Sequence, residues 1–120
     1  MNKKIDVDLV RSMLLTKTIG GQLVYFDVVE STMETIRELA ESNAKEGAVV
    51  VAGLQKNGRG RFGRSWLSEP DKDLLISILL KPSHKILREL NMVVSLAITD
   101  TIKKVININP TIKWPNDIRI

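Results

Sequence analysis

The sequence predicts an α+β fold, one domain of helices and strands, and three observations carry that expectation. The 120 residues, 43% apolar and 27% charged, are enough for one substantial core and too few for two. A helix start is written at Ser31, with Glu34 three residues on, and a continuous apolar run at 47–54 has the length of a buried strand. The elements then follow in the order helix, strand, helix, strand, loop, strand, helix, strand, with no repeat, low-complexity segment or linker.

Each element has its own warrant. Residues 7–15 place Val7, Leu9, Val10, Met13, Leu14 and Leu15 in a short amphipathic helix closed by Gly20 and Gly21, so residues 1–21 form a helical lead-in to a single domain over 1–120. Residues 22–29 are β-branched and aromatic and predict a strand. The Ser-x-x-Glu capping box from Ser31 to Glu34 opens a helix running to about Asn43 on a stripe of Ile36, Leu39 and Ala40. The apolar run at 47–54 predicts a central strand, and 74–80 another, stopped by Pro82. Residues 86–106 carry a long helical stripe, and 111–114 a last strand cut by Pro115. Arg119 and Ile120 stand at the start of one more.

Composition narrows the function. No run of 18 apolar residues occurs and the start MNKKIDVDLV carries no apolar stretch of a leader, so the expected setting is the cytoplasm, with no membrane partner. Without cysteine, disulfides and thiolate metal sites are excluded, and a single histidine leaves oxygen-ligated ions such as Mg2+. Net charge is 18 − 14 = +4, and Lys56, Arg59, Arg61 and Arg64 supply four positive charges within nine residues free of acid. Basicity confined to one loop suits a small anion better than a nucleic-acid face, whose cations are spread.

The loop itself, QKNGRGRFGRSW at 55–66, satisfies G-x-G-x-x-G with Gly58, Gly60 and Gly63 and nearly spells a P-loop with Arg64 in the lysine position. Neither motif has its context, because no helix follows and no acid stands at the required distance. What the two motifs share is physical: glycines let amides approach an anion, and guanidinium forks bind its oxygens in pairs. A solvated loop and an RGG-like RNA-binding segment are equally compatible with this stretch alone, although Trp66 argues for an anchor or a stacking surface. Lys113–Asp117 reads KWPND; as ordinary chemistry it is a turn beside a core tryptophan, or a further cation with Asn116 and Asp117 as oxygen ligands for hydrated Mg2+. His84, between Ser83 and Lys85, fits a solvent-facing loop position.

GRGRFGRSW followed some fifty residues later by KWPND, after the Ser31–Thr32 helix start, resembles the catalytic domain of biotin protein ligases from about Leu23 to the end of the chain. The resemblance implies the biotin ligase fold, akin to class II aminoacyl-tRNA synthetases, with a mixed, largely antiparallel sheet, here the front part of a longer domain truncated at its C-terminal end. It implies ATP-dependent formation of biotinyl-5′-adenylate and transfer of biotin to a lysine of a biotin carboxyl carrier protein, with ATP and Mg2+ as cofactors and a possible homodimer. On the biotin side it implies Ser31, Thr32, Gln55, Gly58, Arg59 and Arg61; toward the nucleotide, Arg61, Arg64, Trp66, Lys113 and Asn116. Arg59, Arg61 and Lys113 would be catalytic, and Asn116 with Asp117 would meet the metal. Met33 stands where the family usually has asparagine, and Phe62 where arginine is frequent. The short lead-in leads us to expect no DNA partner, and the absence of a further family strand after KWPND to expect impaired activity for the chain alone. A lipoate-type acyl-adenylate ligase and a Gly/Arg-loop RNA-binding module are the alternatives. Like charges on a glycine-rich backbone also predict that 56–64 is mobile until ligand binds.

Overall fold

The structure, a computed structural model, describes residues 4–120; residues 1–3 of the expected lead-in and domain lie outside the described residues. Two compact units are present, one up to Lys81 and the other Pro82–Ile120.

The first unit is built on β2 (Val49–Ala52), every residue of which is buried. It is central because it is apolar on both faces: β1 (Leu23–Phe26) pairs with it in parallel and β5 (Leu75–Ile78) antiparallel, in the order β1-β2-β5. Strand alternation sorts the core. Leu23, Val49 and Val51 point to one face, covered by Val7 and Val10 of helix α1 (Val7–Met13), whose N-cap is Asp6. Ala52 and Leu75 belong to the opposite face, joined by Val29 and Phe26, and this face receives α2 (Thr32–Glu41). Val50 is 0% exposed.

Ser31 caps α2 as expected, accepting the Met33 amide at 3.2 Å. The reciprocal half of the expected capping box is not made in the usual way, because the Glu34 carboxylate is engaged by Arg59 from the basic loop. The strand expected over 22–29 ends at Phe26, and an isolated parallel bridge then joins Val29 to Gln55. That bridge, with Val29 N–H on the Leu54 carbonyl and Lys56 N–H on the Val29 carbonyl, both 3.0 Å, brings the start of α2 beside the entry to the basic loop. The loop is a small hairpin, β3 (Gly58–Arg59) against β4 (Ser65–Trp66), with a 3-10 turn at Arg61–Gly63.

The second unit holds α3 (Leu90–Ile106) and a hairpin of β6 (Thr111–Lys113) with β7 (Asp117–Arg119). Residues 86–89, expected in this helix, are turns with three-residue closures such as Ile86 N–H on the Ser83 carbonyl, and Glu89 caps α3 without a side-chain bond. The strand anticipated near Arg119 is β7, which folds back on β6. The β2–β5, β3–β4 and β6–β7 pairs are antiparallel and β1–β2 parallel, the mixed, largely antiparallel pattern expected.

Candidate functional site

A cleft of about 360 Å3 opens in the first unit, lined by Ser31, Thr32 and Met33 from the start of α2, by Gln55, Arg59 and Trp66 from the hairpin, and by residues 73–77 along β5. Four of the residues expected on the biotin side, Ser31, Thr32, Gln55 and Arg59, therefore line one cavity, although 23 positions separate Thr32 from Gln55.

Its floor is a chain of polar contacts. Ser77 donates to Thr32 Oγ1 at 2.9 Å, and Thr32 donates to Gln55 Oε1 both from its hydroxyl, at 2.9 Å, and from its backbone amide, at 2.8 Å. Ser68 grips the Gln55 main chain, accepting its N–H and donating to its carbonyl, each at 3.2 Å. With its carbonyl and backbone both used, Gln55 is fixed and its Nε2 is the group left to aim elsewhere. Ser31 and Thr32 are buried, 1% and 4% exposed, and no buried side-chain polar atom among the described residues lacks a partner. Such a satisfied network holds one geometry.

Gly58 sits where only glycine fits: a Cβ would lie 2.7 Å from the Trp66 carbonyl oxygen and 2.9 Å from Gln55 Nε2. The hairpin turn closes through the Gly60 amide on the Arg64 carbonyl at 2.7 Å, with Phe62 (φ 57°) and Gly63 (φ 72°) in left-handed conformations. Of the four loop cations, Arg59 borders the cleft. Arg61 lies 5.0 Å over the exposed Phe62 ring, a cation–π distance, while Arg64 and Lys56 are exposed. Trp66, expected toward the nucleotide, forms a half-exposed wall of the same cleft opposite Gly58.

In the second unit Lys113 and Asp117 face each other across the β6–β7 register, with Trp114 and Asn116 exposed in the connection. The Pro115 carbonyl accepts from the buried Ser95 hydroxyl at 3.3 Å, tying this turn to α3. Asp117 Oδ2 accepts from Arg119 Nε at 3.3 Å, and no cluster of three or more His, Asp or Glu suited to a metal exists among the described residues. The Asn116 amide and Asp117 carboxylate oxygens suit a hydrated hard cation and are too few to cage one by themselves. His84 is exposed in its turn.

Among the described residues, Lys4 and Tyr25 have raised pKa values. The hydrogen bond and charge of Asp27, 2.8 Å away, raise the Lys4 pKa, and burial raises that of Tyr25, with Asp71 and Asp27 adding to it. Both lie beside Gly53, away from the cleft.

The sequence reading missed Ser77, Ser68 and Glu34. Ser77 had a signal, a lone hydroxyl inside the apolar strand LLISILL, while the contact that gives it meaning reaches 45 positions back to Thr32. Glu34 was read as half of a cap.

Residues 25–120 match the biotin/lipoate A/B protein ligase family. The chain is 38% identical over 119 residues to the bifunctional ligase/repressor BirA of Bacillus subtilis, an alignment covering 98% of this chain and 37% of that relative, so it spans little more than a third of the relative's length. Among solved structures, the biotin protein ligase of Aquifex aeolicus in complex with biotin and ATP superimposes with a TM-score of 0.72 at 36% identity, over 83% of this chain and 42% of that one. The biotin protein ligase of Leishmania major in complex with biotinyl-5-AMP gives 0.72 at 25% identity, over 82% and 47%. No helix of the described residues is long and apolar enough to cross a membrane.

Proposed function

The chain belongs to the biotin/lipoate A/B protein ligase family, and from that premise we propose that it serves the ATP-dependent attachment of biotin to a lysine of a carrier domain. The observation that carries this reading is the meeting of a fixed polar floor, Thr32, Gln55 and Ser77, with the Arg59 guanidinium in one cleft. A ring of hydrogen-bonding heteroatoms suits the floor, and a carboxylate suits the arginine.

In the first step a carboxylate oxygen of biotin attacks the α-phosphorus of ATP, the bond to the bridging oxygen breaks and pyrophosphate leaves. Two anions must approach each other, and the guanidinium groups of Arg59 and Arg61 offset the repulsion while aligning the attack. Lys113 and Asn116 would take the phosphate side and Arg64 and Trp66 the adenylate, while Asn116 with Asp117 would hold Mg2+, which would supply neutralisation of phosphate charge. In the second step an unprotonated carrier lysine attacks the acyl carbon, AMP departs with the C–O electron pair, and the lysine proton goes to solvent. The relatives named above as biotin ligases favour biotin over lipoate, and a cytoplasmic setting is the matching expectation.

Calorimetry on the chain separates the readings. Biotin is expected to bind with saturable heat that a non-hydrolysable ATP analogue enhances, and lipoic acid and single-stranded RNA are expected to give none. Salt-sensitive RNA binding without any biotin response would overturn the proposal, and a preference for lipoic acid would reassign the substrate.

A further inference from the structure

Glu34 has no part in the chemistry above. It stands in the first turn of α2, three residues past Ser31, and its carboxylate accepts from Arg59 Nη2 across 25 positions of sequence. The Glu34 side chain is 34% exposed and that of Arg59 65%, so the pair is partly shielded at the acid end. Just before Ser31, Glu30 binds the same arm of the hairpin: its carboxylate accepts from Asn57 Nδ2 and its carbonyl accepts the Asn57 amide at 2.9 Å. Two acids thus bracket Ser31 and Thr32 and reach over to the basic hairpin, which contains no acid of its own.

We propose that Glu34 is the positioning residue for Arg59. Arg59 rides on a two-residue strand beside Gly60, in a segment with three other cations that repel it, and the ion pair its guanidinium makes runs out of the hairpin to Glu34. Glu34 supplies that restraint from a rigid helix start, and it does so at the cleft that Arg59 borders. A guanidinium has five N–H donors in a planar fork, so one edge held by Glu34 leaves others for an incoming carboxylate. The acid therefore acts as a brace that presents Arg59, and not as a plug that an anionic substrate must expel. Only the identity of the incoming anion rests on the proposed ligase reading.

The test compares Glu34→Gln, which keeps shape and loses charge, with Glu34→Asp and with the charge swap Glu34→Arg/Arg59→Glu. Amide hydrogen exchange over residues 58–66 in the free chain is expected to rise in Glu34→Gln, and biotin affinity by calorimetry to fall by about 2–5-fold, the scale of a partly exposed ion pair. Glu34→Asp should recover part of both losses. The charge swap should restore exchange protection, and in an Arg59→Ala background the further change Glu34→Gln should weaken biotin no more, whereas a merely structural role for Glu34 predicts that the two losses add. Unchanged exchange in Glu34→Gln, or tighter biotin binding, would overturn the inference. If the unmodified chain bound no biotin, the ligase reading would fail, and the exchange comparison would still decide the role of Glu34.

Discussion

Strand β2 and the β3–β4 hairpin lie only five residues apart along the chain and are held in opposite ways. β2 is four buried residues gripped by a strand on each side, and burial of valines there contributes about 1.5–3 kcal/mol apiece. The hairpin has two paired positions, an exposed tip, and polar ties to the start of α2 in place of a core. The first region is stable without reference to any ligand. The second is kept in place by charges and amides that a ligand can also use, which is why the proposed chemistry is assigned there and not to the sheet.

The contrast can be broken from either side. Val50→Ala removes two methyl groups from the middle of the core and should cost about 2–3 kcal/mol by denaturant titration, with the whole first unit melting earlier. Gly58→Ala puts a Cβ against the Trp66 carbonyl and the Gln55 amide and should cost about 1–3 kcal/mol, expressed as faster amide exchange confined to the hairpin. If Gly58→Ala lowered global stability as much as Val50→Ala, the two regions would be one cooperative structure and the contrast would be wrong. The smallest effect is at alkaline pH, outside both regions. Tyr25 and Lys4 each have a raised pKa in the folded chain, so their contribution is complete below the ordinary values of 10.0 and 10.5 and is lost as pH rises through and above them. Denaturation midpoints should therefore decline above pH 10, and Lys4→Met should flatten part of that decline.

The two regions were not equally legible in the sequence. β2 could be read because four consecutive buried residues leave a continuous apolar run, and the start of α2 because Ser31 announces a cap. The hairpin strands could not, since Gly58–Arg59 and Ser65–Trp66 have neither length nor alternation, and their register is set by a backbone closure from Gly60 to Arg64. Residue types at the cleft were visible, Gln55 and Arg59 in one motif and Ser31 with Thr32 in another, but the contacts joining them were not. Ser77 completes the floor from a strand whose polar residue looks incidental, and the diversion of Glu34 from cap to ion pair depends on a loop 25 positions away. The start of α3 was placed too early because residues 86 and 87 continue its apolar stripe into turns.

The central claim is that the Thr32–Gln55–Ser77 floor and Arg59 form one cleft that takes biotin. Backbone and side-chain amide NMR shifts of the chain, titrated with biotin, test it most directly. The account predicts saturable changes concentrated at Ser31, Thr32, Gln55, Gly58, Arg59 and Ser77, abolished or strongly weakened in Arg59→Ala with the remaining spectrum intact. Changes centred elsewhere, or an undiminished response in Arg59→Ala, would contradict it.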